Sequence, residues 1–312
     1  MVKKTRGEIT TQQIVLLIIL LVSFAIILFF LFRLNLGKES DNEICHNSVV
    51  MRGNSVLPAD AVPLKCSRSY VCITKDGSCE GMTKPEIKKV KNEKEIYNVL
   101  AEEMADCWWM FGEGRVDYIG KDFFIRDNYC SICSQIAFDD SLKEIKDEEG
   151  NLIFSEDKIS EDEFYNYLTV TPIPNKEMNY AQYLFGTNDI NKLKNQVLKG
   201  EDGTEIVAET FGSIDMSKQH FVLTGITSEL AGGAWKVVIG GGVAAAGFFM
   251  GPPGWAFAGS ILGALIGVYG DQVVAIIVPG NGIKNNFMAP TIQEANSESL
   301  KSLNCYDIIT SP

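Results

Sequence analysis

Apolar and polar positions divide this chain into stretches of different texture, and the first decides how the rest is read. Residues 14–32, IVLLIILLVSFAIILFFLF, are 19 positions without a charge, with Ser23 the only hydroxyl. At a 1.5 Å rise per residue this is just enough helix to cross a hydrocarbon core of about 30 Å. A helix resting on a soluble core shows a polar face, and this one shows none. A cleaved signal peptide has a shorter apolar core ending in a small-x-small site, whereas Phe30, Leu31, Phe32 and Arg33 follow here. The expectation is an uncleaved transmembrane anchor over 14–36 behind a tail of residues 1–13.

From Glu39 the pattern turns mixed, as expected of an α+β domain. Tyr70 to Thr74 is β-branched and reads as a strand, and Lys75-Asp76-Gly77-Ser78 reads as a hairpin turn, because Asp-Gly tolerates positive φ. Asn92 followed by Glu95 forms a capping box. Ile96, Leu100, Met104, Cys107, Trp108 and Phe111 then recur at helical spacing, and Gly112 and Gly114 end the helix. Trp108 and Trp109 cannot both face the core, so one is expected at a binding surface or beneath a neighbouring loop. A soft boundary near Glu148-Glu149-Gly150-Asn151 separates a Cys-rich subdomain, 39–148, from an acidic one, 151–230. In the second, Ser160 opens a helix that ends before Pro172 and Pro174, helical pieces follow at 180–185 and 190–198, and strands at 205–208 and 220–224.

The next texture is rich in glycine. Residues 237–270 carry no charge, and Gly251-Pro252-Pro253-Gly254 cuts the stretch in two. Gly259, Gly263 and Gly267 recur at four-residue spacing, which on a helix makes a flat groove for close packing. The expectation is a glycine-zipper helical hairpin over 231–279, set in the membrane, buried in protein, or assembled into a pore. Counting outward from the turn puts Lys236 and Asp271 at similar depth, as a charge pair. In the tail, 280–312, residues 291–303 read as a short amphipathic helix, with Cys305 just beyond.

Charge changes this picture modestly. The net charge is −12, with +4 on residues 1–38 and −1 on 231–312, which leaves −15 for 39–230. So acidic a segment excludes nucleic acid as a natural partner. Lys3, Lys4 and Arg6 before the apolar run, against Arg33 and Lys38 after it, favour a cytoplasmic N-terminus with the bulk of the chain outside.

The cysteines point the same way. All eight (Cys45, Cys66, Cys72, Cys79, Cys107, Cys130, Cys133 and Cys305) follow the apolar run, as befits disulfides in an oxidising compartment, although no N-x-S/T sequon accompanies them. Eight cysteines allow 105 pairings. Cys72 and Cys79 flank the Asp-Gly turn and either bridge its arms or staple it elsewhere. Cys130-Ser131-Ile132-Cys133 has three readings. A zinc site would draw further ligands from Cys66, Cys72, Cys79 or His46. A redox pair needs a helix N-terminus within a βαβ unit. The third reading places the two cysteines in separate structural disulfides, one of them to Cys107.

The runs EMADCWWMFGEG and NYCSICSQIAFDD, between the anchor and the glycine-rich stretch, resemble uncharacterised membrane-anchored envelope proteins of small-genome archaea. That resemblance implies an archaeal cell envelope and no particular activity. Arg6-Gly7-Glu8 before a long apolar helix resembles archaeal pilin-like precursors, with Gln12 where such proteins carry glutamate.

No catalytic constellation is present. His46 and His220 stand in no triad or metal spacing, the Asp139-Asp140 pair suits a solvated surface, and there is no G-x-S-x-G, H-E-x-x-H, P-loop or dinucleotide fingerprint. The leading expectation is a non-enzymatic envelope protein without cofactor or metal, acting by binding or assembly. Its partners would be membrane lipid and either further copies of itself or another envelope protein. A glycine-zipper pore, an envelope thiol oxidoreductase using Cys130 and Cys133, and a pilin-like protein are the alternatives.

Overall fold

A computed structural model describes residues 11–33, 37–57, 61–119, 128–146, 150, 152–154, 157–190, 198–199, 205–206, 210–227, 236–239, 242–245, 265–269, 272–281, 283, 285–303 and 305–311. The chain divides into two units, 1–41 and 42–312.

In the first unit, helix α1 (Thr11–Arg33) is a run without glycine or proline, so no residue in it breaks the helix. Every side chain from Ile14 to Phe29 is exposed, including Leu16 at 67% and Ile19 at 63%. Among the described residues no helix is long and apolar enough to cross a membrane. The described side chains of α1 end at Phe29, about 24 Å of helix from Ile14.

The second unit, with helix α2 (Gly37–Asn54) leading into it, is built on one mixed sheet. Its strands are β1 (Ser69–Thr74), β2 (Glu86–Lys89), β3 (Asn128–Phe138), β8 (His220–Thr227), β11 (Leu265–Tyr269), β12 (Gln272–Pro279), β13 (Asn286–Glu294) and β14 (Asp307–Ile308). The order is β11-β12-β13-β8-β3-β1-β2, with β14 beside the first residues of β3. β2, β1, β3 and β14 are mutually parallel, whereas β8, β13, β12 and β11 alternate. Short two-stranded pairs join β4 (Lys158–Ser160) to β7 (Ser213–Asp215), β5 (Leu198–Lys199) to β6 (Glu205–Ile206), and β9 (Lys236–Ile239) to β10 (Gly242–Ala245).

Helices α3 (Glu93–Met110), α4 (Glu161–Val170) and α5 (Tyr180–Phe185) share the larger core cluster with one face of the sheet. Helix α3 starts where its sequence says it must. The Glu95 amide donates to Asn92 Oδ1 at 3.0 Å, and Glu95 Oε2 accepts the Lys91 amide at 2.7 Å. Ile96, Leu100, Met104, Cys107 and Phe111 are buried along its stripe, and the chain reverses at Gly112, φ +79°. Ser160 caps α4 through the Glu163 amide, and Asn179 caps α5 through the Gln182 amide. A smaller cluster of Cys130, Ile132, Phe221, Leu223, Met288 and Leu303 lies apart from it, with helix α6 (Ser297–Ser302) contributing Leu300.

All eight cysteines pair. Cys45–Cys66 ties α2 to the segment before β1, Cys72–Cys79 closes the β1 turn, Cys107–Cys133 pins α3 to β3, and Cys130–Cys305 pins β3 to the C-terminal segment. No cysteine is free.

Several expectations change. The Asp76-Gly77 turn is real, with Gly77 at φ +100°, but it opens a parallel return to β2 and not a hairpin. β3 and β8, one on each side of the boundary read near Glu148, are adjacent strands. The helical hairpin over 231–279 is overturned wherever that stretch is described, since β9, β10, β11 and β12 are all strands there. Val237, Val238, Ile266, Val273, Val274, Ile276 and Val278 prefer pleated backbone, and the glycines among them weaken a helix by about 1 kcal/mol each. Gly267 faces Ala275 across two strands, Lys236 faces Ala245, and Gly259, Gly263 and Asp271 lie outside the described residues. The tail helix expected over 291–303 is split, its first residues completing β13 and only Ser297–Ser302 turning helical. Of the piece read at 190–198, 191–197 lie outside the described residues and Leu198 is in β5.

Candidate functional site

Cross-strand partners point to the same face of a sheet. Tyr70 of β1 faces Gln135 of β3, and Gln135 faces Phe221 of β8. These three make a row on one face, and Gln219, two residues before Phe221, lies beside it. Cys72 follows Tyr70 by two and so projects from that face too. Its bond to Cys79 holds the start of the 80–84 segment above the sheet.

The turn beneath that segment is tightly bonded. Asp76 Oδ1 accepts from the Ser78 amide at 2.8 Å and from Thr74 Oγ1 at 3.1 Å. The Ser78 hydroxyl lies 2.6 Å from Asp76 Oδ1 and 2.9 Å from Asp139 Oδ1, and with one proton it serves one carboxylate at a time. Hydrogen bonds from Ser78, first from its hydroxyl, hold the Asp76 carboxyl down to about 2. Burial pulls the Asp139 carboxyl upward, but donors from Ser141 and Ser78 outweigh it and leave it below the usual range. Lys89 Nζ, from β2, closes the turn on the Asp76 carbonyl at 2.9 Å.

Between this segment and the strands lies a groove of about 350 Å³, lined by Tyr70, Gly81, Met82, Thr83, Gln135 and Gln219. Its floor is a chain of hydrogen bonds. Arg68 donates to Gln135 Oε1 at 3.4 Å, Gln135 Nε2 to Gln219 Oε1 at 2.5 Å, and Gln219 Nε2 to the Gly81 carbonyl at 2.8 Å. Arginine only donates and a carbonyl only accepts, so both amides have one orientation that satisfies the chain. The Arg68 guanidinium lies 5.1 Å from the centre of the Phe221 ring, and its buried Nε has no hydrogen-bond partner among the described residues. A 350 Å³ groove falls in the size range of small-molecule sites.

No family model matches the chain, and no curated protein or solved structure is similar to it.

The residues singled out in the sequence behave differently from one another. Cys130 and Cys133 do not bond to each other. The β3–β8 register shifts between Ile132 and Ser134, and Cys133 falls in that bulge. Cys130 belongs to the smaller cluster with Ile132, and Cys133 to the larger with Ile136. They also stand within a strand and not at a helix N-terminus, although β2, α3 and β3 do form a βαβ-like unit. Among the described residues no group of His, Cys, Asp and Glu has metal-binding geometry. His46 stacks on Trp109 with ring centroids 4.2 Å apart and hydrogen-bonds its carbonyl at 2.7 Å, so Trp109 lies under α2 while Trp108 is buried. His220 is buried, its Nδ1 has no partner among the described residues, and desolvation lowers its pKa to about 4. Residues 6–8, which carry the pilin-like resemblance, lie outside the described residues.

Sequence reasoning missed the groove. In the sequence Tyr70 reads only as part of a strand, and neither Gln135 nor Gln219 belongs to a recognisable motif. The available signal was the polar Ser134-Gln135 pair interrupting an apolar strand.

Proposed function

We propose that this chain is a non-enzymatic protein of the cell envelope, anchored by α1, whose disulfide-stapled α+β domain lies outside the cytoplasm and acts by binding. The observation that carries this reading is the pairing of all eight cysteines in four disulfides, which belongs to an oxidising compartment. Exposed apolar side chains all round α1 support the anchor, because lipid leaves no reason for a polar face. The groove beside Tyr70 supports binding as the mode of action, since its wall is held at Cys79 and at Gly81 before any ligand arrives.

The alternatives lack a supporting observation. A pore of glycine-zipper helices needs helices where β9, β10, β11 and β12 are strands, and a dithiol at Cys130 and Cys133 needs two cysteines that here bond elsewhere. The test combines carbonate extraction with protease treatment of intact cells. Retention in the membrane pellet and digestion of the 42–312 domain without lysis are expected. Release by carbonate, or protection of the domain until lysis, refutes the proposal.

A further inference from the structure

We infer that the groove beside Tyr70 takes a neutral saccharide, an assignment that rests on the groove being the binding site proposed above. The argument starts from what the floor has left over. Gln135 and Gln219 each spend one N–H on the chain running from Arg68 to Gly81. Each amide therefore keeps one N–H donor and one carbonyl lone pair, held in fixed orientation by its neighbours. Fixed donors and acceptors side by side match vicinal hydroxyls, because each hydroxyl both gives and receives a hydrogen bond. Thr83 adds a third group of the same dual character.

The remaining lining separates saccharides from other polar ligands. Among the described residues no charged side chain lines the groove, so none of them there compensates a carboxylate, a phosphate or an ammonium. Arg68, at the start of the hydrogen-bond chain, donates to Gln135 and rests on the face of Phe221. Tyr70 is 38% exposed and offers the flat apolar surface on which the C–H face of a pyranose stacks. Tyr70 and Gln135 stand on the face of the sheet, where backbone N–H and C=O groups do not point, so a ligand in the groove is held by side chains and not by ladder hydrogen bonds. Its 350 Å³ accommodates one or two sugar rings and not a folded partner.

The full chain, held in lipid nanodiscs to keep sugar-headed detergents away, is tested on an array of neutral oligosaccharides and then titrated with the methyl glycosides that bind. A peptide array is run beside it. Binding to neutral glycans in the millimolar range or tighter is expected, weakened at least tenfold by Tyr70→Ala and by Gln135→Leu and retained in Tyr70→Trp. Tyr70→Ala changes a surface ring only, so it reports even if Gln135→Leu fails to fold. No glycan binding at millimolar concentration overturns the saccharide assignment. Peptide binding sensitive to Tyr70→Ala overturns the ligand class and leaves the groove standing. Glycan binding insensitive to both substitutions removes the groove from the proposed function as well.

Discussion

Two of the four disulfides form a matched pair for measuring what a cross-link contributes. Cys130–Cys305 spans 175 residues and Cys72–Cys79 spans 7. In each, one sulfur partner is fully buried (Cys130 and Cys72, both 0% exposed) and the other is half-buried. Replacing both members by alanine removes very different amounts of chain restraint, and in the long loop also the packing of Cys130 and Cys305 in the smaller apolar cluster. Loop-closure entropy gives about 5 kcal/mol for the long loop and about 2.5 kcal/mol for the short one. A whole domain is stable by about 5–15 kcal/mol, so losing the long bridge leaves the fold marginal while losing the short one does not. Urea unfolding of the full chain in mild micelles, followed by the fluorescence of buried Trp108, measures both losses with the m-value as a check on two-state behaviour. The expected outcome is a loss about 2–3 kcal/mol larger for Cys130→Ala/Cys305→Ala than for Cys72→Ala/Cys79→Ala. Equal losses, or a larger loss for the short loop, would refute the reasoning and show that local packing outweighs the restraint of the unfolded chain.

Three further outcomes follow from single sites. His220 is buried neutral, with Phe138 against its ring and Glu294, Asp215 and Lys218 near it. Its folded pKa of about 4 lies below the unfolded value, so the unfolded chain binds the proton first and stability falls with pH from about 6.5 down to 4. The loss between pH 7.5 and pH 5 is about 2 kcal/mol, and it should vanish in His220→Gln; an unchanged slope in that variant sinks the assignment. Asn92→Ala removes the N-cap of α3 and is expected to cost about 1 kcal/mol in urea unfolding, with Asn92→Asp near neutral. Tyr183→Phe takes a 2.6 Å donor from the half-buried Glu113 carboxylate, which Lys176 also holds at 3.1 Å; a loss of about 1–2 kcal/mol is expected, and a neutral effect would show that Lys176 suffices.

Much of the α-helical half of this fold is legible in the chain because its signals are local. The Asn92 cap, the stripe from Ile96 to Phe111 and the Gly112 stop each act within one or two turns, and α4 and α5 follow from Ser160 and Asn179 in the same way. β2 is different. Glu86-Ile87-Lys88-Lys89 is polar and short, and it is a strand because Val71 to Thr74 offer it a parallel ladder, not because of any pattern of its own. The glycine-rich stretch failed for a related reason. Four-residue spacing among Gly259, Gly263 and Gly267 has meaning only on a helix, whereas the β-branched residues around Gly267 carry the preference that decided its backbone.

The groove was hidden by the same non-local logic, and that logic also explains its form. A parallel return from β1 to β2 cannot use a two-residue turn, so the chain must travel from Thr74 to Glu86 across the sheet. Such a connection would normally be a helix burying an apolar stripe. Here it is a loop, and a loop of that length without a stripe needs another restraint. The Cys72–Cys79 bridge supplies one at its start, and the bond from Gln219 to the Gly81 carbonyl supplies a second farther on. One restraint reaches back to β1 and the other to Gln219, just before β8, so the loop is held above the sheet without filling the space beneath it. The space that remains is floored by whatever side chains β1 and β3 present there, and these are Tyr70 and Gln135 in place of the apolar residues that a covering helix would demand. Polar residues on that patch of the sheet are thus the consequence of an uncovered parallel crossover, and a ligand site is the use to which such a patch lends itself.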